Sequence, residues 1–223
     1  MSRVGPEAEG ATAVLALVPA RDEAERVGAT VRALRGLPGV AEVLVVSDGS
    51  TDATAARALE AGAHCLDLPR NLGKGGALNA GLAALMGRVA ERISPEPAVL
   101  LLADADLAET AGRLDRLLGP VLAGEADLAI ADLPALLPFA PGFGVEVAMT
   151  MDALRAGLRV VEIEVDLHHN PTGKDLAGVL HRARQARAIA RELTRRRTWR
   201  PTPSGEGGSG VGRTPRRGGE RRT

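Results

Sequence analysis

Short runs of apolar residues alternate with longer stretches of mixed character from residue 13 to residue 197. Most of the runs are continuous and rich in Val, Leu and Ala, which is typical of strands covered on both faces of a parallel sheet. The predicted strands are Ala13–Pro19, Glu42–Ser47, His64–Leu68, Ala98–Ala103, Asp127–Ala131 and Val160–Leu167. Their alternation with amphipathic stretches predicts an α/β domain built from β-α-β units around a mostly parallel sheet.

The stretches between the strands have the spacing of amphipathic helices. A helix is predicted over residues 22–35, where apolar residues recur every three or four positions and form one stripe. The stripe consists of Ala24, Val27, Val31 and Leu34. A last helix is predicted over Asp175–Arg196, whose Arg-rich end suits the negative C-terminal end of the helix dipole.

Composition narrows the classes of protein to consider. The chain has 223 residues, 45% of them hydrophobic, but only 2 Phe, 1 Trp and 0 Tyr, so the core must be aliphatic. This scarcity argues against a surface that binds nucleic acid by stacking bases on aromatic rings. Cys65 is the only cysteine and cannot form an internal disulfide. We therefore predict a cytoplasmic protein without a nucleic-acid partner.

The net charge of +0 hides an asymmetry between the body and the C-terminus. Residues 198–223 contain six Arg and two Glu and have almost nothing apolar to bury. We predict a flexible N-terminus (1–11), one folded domain (12–197) and a disordered basic Gly/Pro/Arg-rich tail (198–223). No apolar run approaches the roughly 20 residues of a transmembrane segment, so any membrane association is expected to be peripheral. A basic tail can touch acidic lipid, but a solvated tail is the favoured interpretation.

Polar motifs follow four of the predicted strands. In open parallel sheets, ligands bind outside the carboxyl ends of the strands, so these motifs are expected at one edge. They are Pro19-Ala20-Arg21-Asp22-Glu23, Ser47-Asp48-Gly49-Ser50-Thr51-Asp52, Asn71-Leu72-Gly73-Lys74-Gly75-Gly76 and Asp104-Ala105-Asp106.

Two of these motifs have an ordinary structural interpretation beside the functional one. The loop that begins at Asp48 could be a turn that caps the next helix, or Asp48 could accept hydrogen bonds from a base or ribose. The glycine-rich loop around Lys74 lacks the spacing of a P-loop. Its amides and the Lys74 ammonium could still approach an anion, or the loop could simply lead into a helix. A Rossmann oxidoreductase is disfavoured because GxGxxG does not follow the first strand.

Asp104 and Asp106 are the strongest indication of function among the four motifs. Two carboxylates one residue apart at the end of a buried strand repel each other unless a cation lies near them. Hard oxygen ligands suit Mg²⁺ or Mn²⁺, which usually keep sites for water and for phosphate oxygens. The pair therefore predicts a metal that links the protein to a diphosphate, with a surface turn or a helix cap as the alternative.

Four segments together resemble the family 2 type glycosyltransferases. They are LVPARDEAERV, VLVVSDGSTDAT, LPRNLGKGGALNAGL and LLADADL, which span roughly residues 13 to 110. The resemblance implies the GT-A fold, a three-layer α/β/α sandwich, and a UDP- or GDP-sugar donor. It also implies a metal on Asp104 and Asp106, with Asp106 also catalytic. The donor-binding residues that it implies are Pro19, Ala20, Arg21, Glu23, Asp48, Gly49, Ser50, Gly73, Lys74 and Asp104. Many members have an acidic residue where this chain has Ser47.

Three segments of the second half are Gly142-Phe-Gly-Val-Glu-Val147, Val160–His168 and Thr172-Gly-Lys-Asp175. They are similar to the acceptor half of bacterial relatives, among them glucosyl-3-phosphoglycerate synthases and polyprenol-phosphate glycosyltransferases. By this resemblance His168 is the third metal ligand, with a surface-loop histidine as the alternative. Glu146 is the candidate base or the group that orients the acceptor hydroxyl, although a carboxylate is also favoured at a helix N-terminus. The acceptor is expected to be a small molecule or a lipid phosphate, and a homo-oligomer is compatible with the sequence.

The connection between the two halves departs from the family. Only Leu133–Pro141 links them, whereas relatives have a longer stretch that carries acceptor-binding residues. A catalytically impaired protein that binds nucleotide sugars is therefore the alternative to an active transferase.

Overall fold

The computed structural model describes residues 13–92, 98–122, 133–134 and 136–168, together with Arg187, Ala190, Arg191 and Thr194. We call residues 13–122 the N-terminal half and residues 133–168 the C-terminal segment. Several predictions lie outside the described residues: the N-terminus 1–11, the strand Asp127–Ala131, the tail 198–223 and all but four residues of the last helix. Those four described residues are helical.

A parallel sheet of four strands forms the centre of the N-terminal half, in the order β3-β2-β1-β4. The strands are β1 Ala13–Ala20, β2 Val40–Asp48, β3 His64–Leu68 and β4 Ala98–Leu102. All four were predicted, and their ends differ from the prediction by at most two residues. Continuous apolar runs are easy to place because both faces of each strand are covered: residues 14–18 of β1 are at most 1% exposed.

Helices cover both faces of the sheet. They are α1 Val27–Arg35, α2 Thr54–Glu60, α3 Gly73–Arg92, α4 Asp115–Leu122 and α5 Val145–Arg155, with 3-10 turns at Ala108–Leu114 and Gly142–Gly144. Val14, Ala16 and Val18 of β1 face a core shared with α1, α2 and the first 3-10 turn. Leu17 of β1 and Leu44 and Val46 of β2 face a second core, which they share with α3 and α5. The fold is thus the predicted α/β/α sandwich. No helix within the described part of the chain has the length and apolar character needed to cross a membrane.

Helix α1 begins five residues later than predicted, at Val27. Asp22 has a φ of 53°, in the left-handed region, and so cannot belong to a right-handed helix. Glu23 makes the turn that leads into α1, since its carbonyl accepts hydrogen bonds from the amides of Arg26 and Val27. Ala24 lies in that turn and is only partly buried, whereas Val27, Val31 and Leu34 are buried as the stripe predicted.

The predicted strand Val160–Leu167 is wrong, because residues 158–168 contain no strand. No strand of the described residues pairs with it, and Val160 and Val161 are 42% and 56% exposed. Side chains hold this stretch in place instead. Arg113 Nη1 donates to the Asp166 carbonyl at 2.6 Å and to its carboxylate at 2.5 Å, and Leu167 packs against the first core.

Candidate active site

The loops after β1 and β2 are joined by hydrogen bonds around Asp22. The Asp22 carboxylate accepts from the amide of Thr51 at 2.7 Å and from its hydroxyl at 3.2 Å. In return, Ser50 Oγ accepts from the Asp22 amide at 3.2 Å. The left-handed backbone of Asp22, unfavourable for a residue with a side chain, is thus fixed by contacts 28 or 29 positions along the chain.

A second set of bonds extends this junction. Asp52 Oδ2 accepts from the Ala24 amide at 3.1 Å, and Thr54 Oγ1 accepts from the Glu23 amide at 2.8 Å. Asp52 Oδ1 also accepts from the Thr54 amide at 2.9 Å at the start of helix α2, although the N-cap residue is Ala53, which forms no side-chain cap. Sequence reasoning treated Glu23 as a donor-binding residue and Asp52 as a possible helix cap, and it did not predict that they join two loops. Their role in joining two loops left no local signal, because the partners are distant in sequence.

Asp48 ends β2 and joins its loop to the loop after β3. Its side chain is 4% exposed, and Oδ1 accepts from the Leu72 amide at 2.6 Å. Gly49 follows with a φ of 63°, and a Cβ on it would lie 2.5 Å from the Asn71 nitrogen and 2.6 Å from the Arg70 carbonyl carbon. A contact this close is open only to glycine. The three loops after β1, β2 and β3 therefore form one connected edge.

Lys74 reaches from the start of α3 into the space between the N-terminal half and the C-terminal segment. The amide of the preceding Gly73 donates to Asn71 Oδ1 at 2.7 Å, which fixes the start of the helix. Lys74 Nζ lies 2.7 Å from Asp104 Oδ1 and 2.5 Å from Glu146 Oε1. Burial acts to lower the pKa of Lys74, but the charges and hydrogen bonds of the two carboxylates outweigh it and leave that pKa above its usual value. Lys74 therefore remains a cation.

Burial alternates along the loop after β4. Ala103, Ala105 and Leu107 are buried in the first core, whereas Asp104 and Asp106 between them are only partly buried. The apolar residues thus anchor the loop while both carboxylates keep access to solvent. Thr30 of α1 also contacts this loop through its hydroxyl, a contact that sequence reasoning missed. The available signal was a polar residue on the apolar stripe of a helix.

Asp106 lies close enough to Glu23 to help raise the pKa of the Glu23 carboxyl group. The pKa of the Glu23 carboxyl is raised, first by burial and further by the negative charges of Asp106 and Asp52, against the lowering effect of its ion pair with Arg26. The end of β4 and the loop after β1 therefore present several carboxylates to one region. Asp104 and Asp106 offer carboxylate oxygens of the kind that suit a hard divalent cation, while Asp104 Oδ1 contacts Lys74 Nζ at 2.7 Å.

His168 lies beside the 3-10 turn that follows Asp106. Its amide donates to Thr110 Oγ1 at 3.2 Å, and the residue is exposed. Among the described residues, no three carboxylate, imidazole or thiol side chains are gathered closely enough to hold a metal. The role of His168 as a third ligand stays a prediction.

A cleft of ≈ 350 Å³ brings the predicted residues of the two halves together. Four of them line it: Pro19, Lys74, Asp104 and Glu146. Apolar side chains such as Leu78, Leu107 and Met149 complete its wall. The remaining donor-binding candidates belong to the connected loops, where Ala20 is buried at 3% exposure and the Arg21 side chain is 54% exposed.

A parallel sheet with this strand order, connected polar loops at its carboxyl edge and an acidic pair after β4, of which Asp104 lines the cleft, define a nucleotide-diphospho-sugar transferase of the GT-A fold. The family model "Glycosyl transferase family 2" matches residues 16–135, and the chain belongs to that family. It is a glycosyltransferase.

Individual relatives agree with this assignment. The glucosyl-3-phosphoglycerate synthase of Mycolicibacterium smegmatis is 28% identical over 77% of this chain and 75% of the relative. The Mycobacterium tuberculosis enzyme of the same name, solved with Mn²⁺, UDP and phosphoglyceric acid, has a TM-score of 0.65 at 22% identity and covers 86% of this chain and 80% of its own. Another structure of that enzyme holds Mn²⁺ and UDP-glucose. It matches this chain with a TM-score of 0.64 at 25% identity, and the match covers 82% of this chain and 79% of the relative.

Proposed function

We propose that the chain transfers a sugar from a UDP-sugar to a hydroxyl of a small phosphate-bearing acceptor. The observation that carries the proposal is the contact of Lys74 with both Asp104 and Glu146 inside the cleft. It places one cation between a carboxylate of the donor edge and a carboxylate of the C-terminal segment. Complexes of the M. tuberculosis relative with UDP-glucose and phosphoglyceric acid support the choice of donor and acceptor class.

Asp104 and Asp106 are the residues that would hold Mg²⁺ or Mn²⁺, and when bound the ion would stabilise negative charge on the departing diphosphate. Lys74 adds a fixed positive charge beside the same position. Because its ammonium is already oriented by two carboxylates, little reorganisation is needed when charge develops on the leaving group. His168 is assigned as a further ligand on the strength of the family resemblance.

The nucleoside is assigned to the connected loops. The assigned residues are Pro19, Ala20, Arg21, Glu23, Asp48, Gly49, Ser50 and Gly73. These loops are held by hydrogen bonds between distant residues, so the edge that receives the nucleoside is formed before binding. In this assignment, the Asp48 carboxylate binds the base or ribose while it also accepts a hydrogen bond from the Leu72 amide.

Glu146 is assigned to the acceptor. It lies in the first turn of α5, where the helix dipole favours a carboxylate, and its side chain is 58% exposed in the cleft. A carboxylate there can accept the proton of an attacking hydroxyl or orient that hydroxyl toward the donor sugar. Its ion pair with Lys74 holds the side chain on the side of the cleft where the donor diphosphate is placed.

The test is to measure donor binding and nucleoside diphosphate release with Mn²⁺ or Mg²⁺, a panel of UDP- and GDP-sugars, and phosphoglycerate or polyprenyl phosphate as acceptor. Asp104→Asn and Asp106→Asn should each weaken metal-dependent donor binding by about 100-fold or more. Asp115→Asn, on the exposed first turn of α4, is the matched control and should have no effect. Unchanged metal-dependent affinity in both aspartate variants would show that the metal is elsewhere.

The short connection at residues 133–141 favours a second candidate, a protein that binds nucleotide sugars without transferring them. Tight, metal-dependent donor binding with no turnover on any acceptor of the panel would favour this candidate. Turnover with phosphoglycerate would exclude it.

A further inference from the structure

Thr30 is a polar residue in the centre of the first core. It lies on α1, between Val27 and Val31 on the buried stripe, and it is 0% exposed. None of the donor or metal roles assigned above uses it. A buried hydroxyl needs hydrogen-bond partners, and the two nearest partners of the Thr30 hydroxyl lie 75 and 78 residues further along the chain.

The partners are two backbone groups on either side of Asp106. Thr30 Oγ1 lies 2.8 Å from the Ala105 carbonyl oxygen and 2.8 Å from the Ala108 amide nitrogen. A hydroxyl has one proton to donate, and the carbonyl of Arg26, at 3.3 Å, is the more distant acceptor. Thr30 therefore donates to Ala105 and accepts from Ala108.

These two bonds fix the backbone that carries the acidic pair. The Ala105 carbonyl belongs to the peptide between Ala105 and Asp106, so its direction sets the path from one carboxylate to the next. Ala108 has a φ of 48°, a left-handed conformation that is unfavourable for a residue with a side chain. The bond from its amide to Thr30 helps to hold that conformation. The apolar anchors Ala105 and Leu107 fix the depth of the loop, but not the rotation of its peptides.

We propose that Thr30 is a positioning residue for the Asp104–Asp106 pair, acting through its hydroxyl on the peptide between them. The inference rests on the proposed role of that pair in holding the divalent cation. Mg²⁺ in particular demands near-ideal octahedral geometry, so a small rotation of one carboxylate relative to the other weakens binding. A residue that touches neither metal nor donor thus sets how well the pair binds.

Thr30→Val keeps the shape of the side chain but removes the hydroxyl, and Thr30→Ser keeps the hydroxyl. We expect Thr30→Val to weaken Mn²⁺-dependent binding of UDP by about tenfold, the lower end of the range for partners that orient metal ligands. Thr30→Ser should bind within about threefold of the unchanged protein. Binding of UDP without metal, measured by calorimetry, should be equal in all three. In transfer assays the metal concentration needed for half-maximal rate should rise, while kcat at saturating metal changes little.

Amide hydrogen exchange gives a readout that needs no metal. The Ala108 amide should exchange faster in Thr30→Val than in Thr30→Ser, because its acceptor is lost. If Thr30→Val folds poorly, Ala108→Gly is added, since glycine adopts the left-handed conformation without strain but does not replace the bond to the Ala105 carbonyl. The double variant should fold and still bind Mn²⁺-UDP weakly.

Parallel titration of Asp104→Asn separates the two proposals. If Asp104→Asn loses metal-dependent binding but folded Thr30→Val does not, the positioning role of Thr30 is wrong and the proposed function stands. If neither variant changes metal-dependent binding, the metal site itself is misplaced. Equal weakening by Thr30→Val and Thr30→Ser would show that packing, and not the hydroxyl, matters.

Discussion

The N-terminal half and the C-terminal segment line the same cleft but are held in place in different ways. In the N-terminal half, three loops leave one parallel sheet and are joined by hydrogen bonds between distant residues, such as Asp22 with Thr51 and Asp48 with Leu72. The described residues of the C-terminal segment include no strand. Phe139 and Val145 pack into the second core, and side chains of α3 and of the first 3-10 turn bond to the segment. The donor edge is therefore part of the sheet's own architecture, whereas the acceptor side depends on packing against the sheet and on individual side-chain contacts.

Helix α3 contacts the C-terminal segment at residues that include Lys74, Gly75 and Asn79. Asn79 of α3 forms a two-way pair with the backbone of Phe139, donating to its carbonyl at 3.0 Å and accepting from its amide at 2.8 Å. Gly75, one turn earlier, allows close approach, since a Cβ there would lie 1.8 Å from the Ala140 carbonyl oxygen. Lys74 adds the ion pair with Glu146. Helix α3 thus holds both the donor loop at its start and the C-terminal segment along its side.

The largest effect is expected where the two regions meet, at Lys74. Lys74→Met keeps the length of the side chain but removes the charge beside the diphosphate and the tie to Glu146. We expect kcat/KM for transfer to fall by about 100- to 1000-fold, as when a preorganised donor to developing negative charge is lost. The measurement is nucleoside diphosphate release at saturating metal.

Arg57→Met is the control for Lys74→Met, because it removes a cation from an exposed ion pair on α2. Its activity should match that of the unchanged protein. A Lys74→Met activity within threefold of that control would show that the two regions are not coupled through this side chain.

The next effect tests the rigidity of the N-terminal half. Gly49→Ala forces a side chain into a left-handed conformation and against the backbone of Arg70 and Asn71. We expect the free energy of unfolding to fall by about 2–3 kcal/mol, as for strained backbone conformations in general. Urea denaturation measures this.

Gly112→Ala is the matched control, since a Cβ there would meet nothing within 4 Å. UDP affinity should fall with the stability of Gly49→Ala and stay unchanged in Gly112→Ala. Equal stability of the two variants would mean that the loops after β2 and β3 are not held by this contact.

A smaller and more selective effect is expected from Gly75→Ala, which disturbs only the C-terminal segment. The added methyl group would clash with the backbone of Ala140 and Pro141, and we expect the donor loops to keep their positions. Acceptor-dependent transfer should fall about tenfold, because small misplacements of reacting groups slow catalysis, while UDP affinity stays within about threefold. Gly87→Ala on the same helix, where a Cβ would be in open space, should leave both values unchanged. A loss of UDP affinity as large as the loss of transfer would contradict the separation of the two regions.

The same contrast explains what the sequence could predict. The strands of the N-terminal half were predicted almost to the residue because a continuous apolar run reports burial on both faces. Lys74 and Asp104 were predicted at the same edge of the sheet, and they contact each other there, because polar residues at strand ends meet at one edge of a parallel sheet. The start of α1 was placed too early because Asp22 resembles a helix-initiating residue, whereas its backbone is set by bonds to Ser50 and Thr51.

The C-terminal segment was harder to predict for the same physical reason. Val160, Val161 and Leu167 have the composition of a strand, but strand formation needs a neighbouring strand to pair with. In the described residues this stretch is held by side chains, through contacts such as Arg113 with Asp166 that leave no periodic pattern. Thr30 was missed because its partners lie far away in sequence, although a threonine on an apolar stripe was visible.

The smallest effect is expected for the ion pair between Arg113 and Asp166, which attaches the end of the C-terminal segment to the first 3-10 turn. The Arg113 side chain is 47% exposed and that of Asp166 is 79% exposed, so water and salt screen their ion pair. A double-mutant cycle of Arg113→Ala and Asp166→Ala should give a coupling energy below about 1 kcal/mol, close to that of the exposed Arg57–Glu60 pair. Arg113→Ala should nonetheless speed hydrogen exchange in residues 158–168 more than Asp166→Ala does, because Arg113 also bonds the Asp166 carbonyl, which Asp166→Ala retains. Equal exchange in the two variants would show that the backbone bond does not hold this stretch, and that the packing of Leu167 against the first core is what fixes the end of the C-terminal segment.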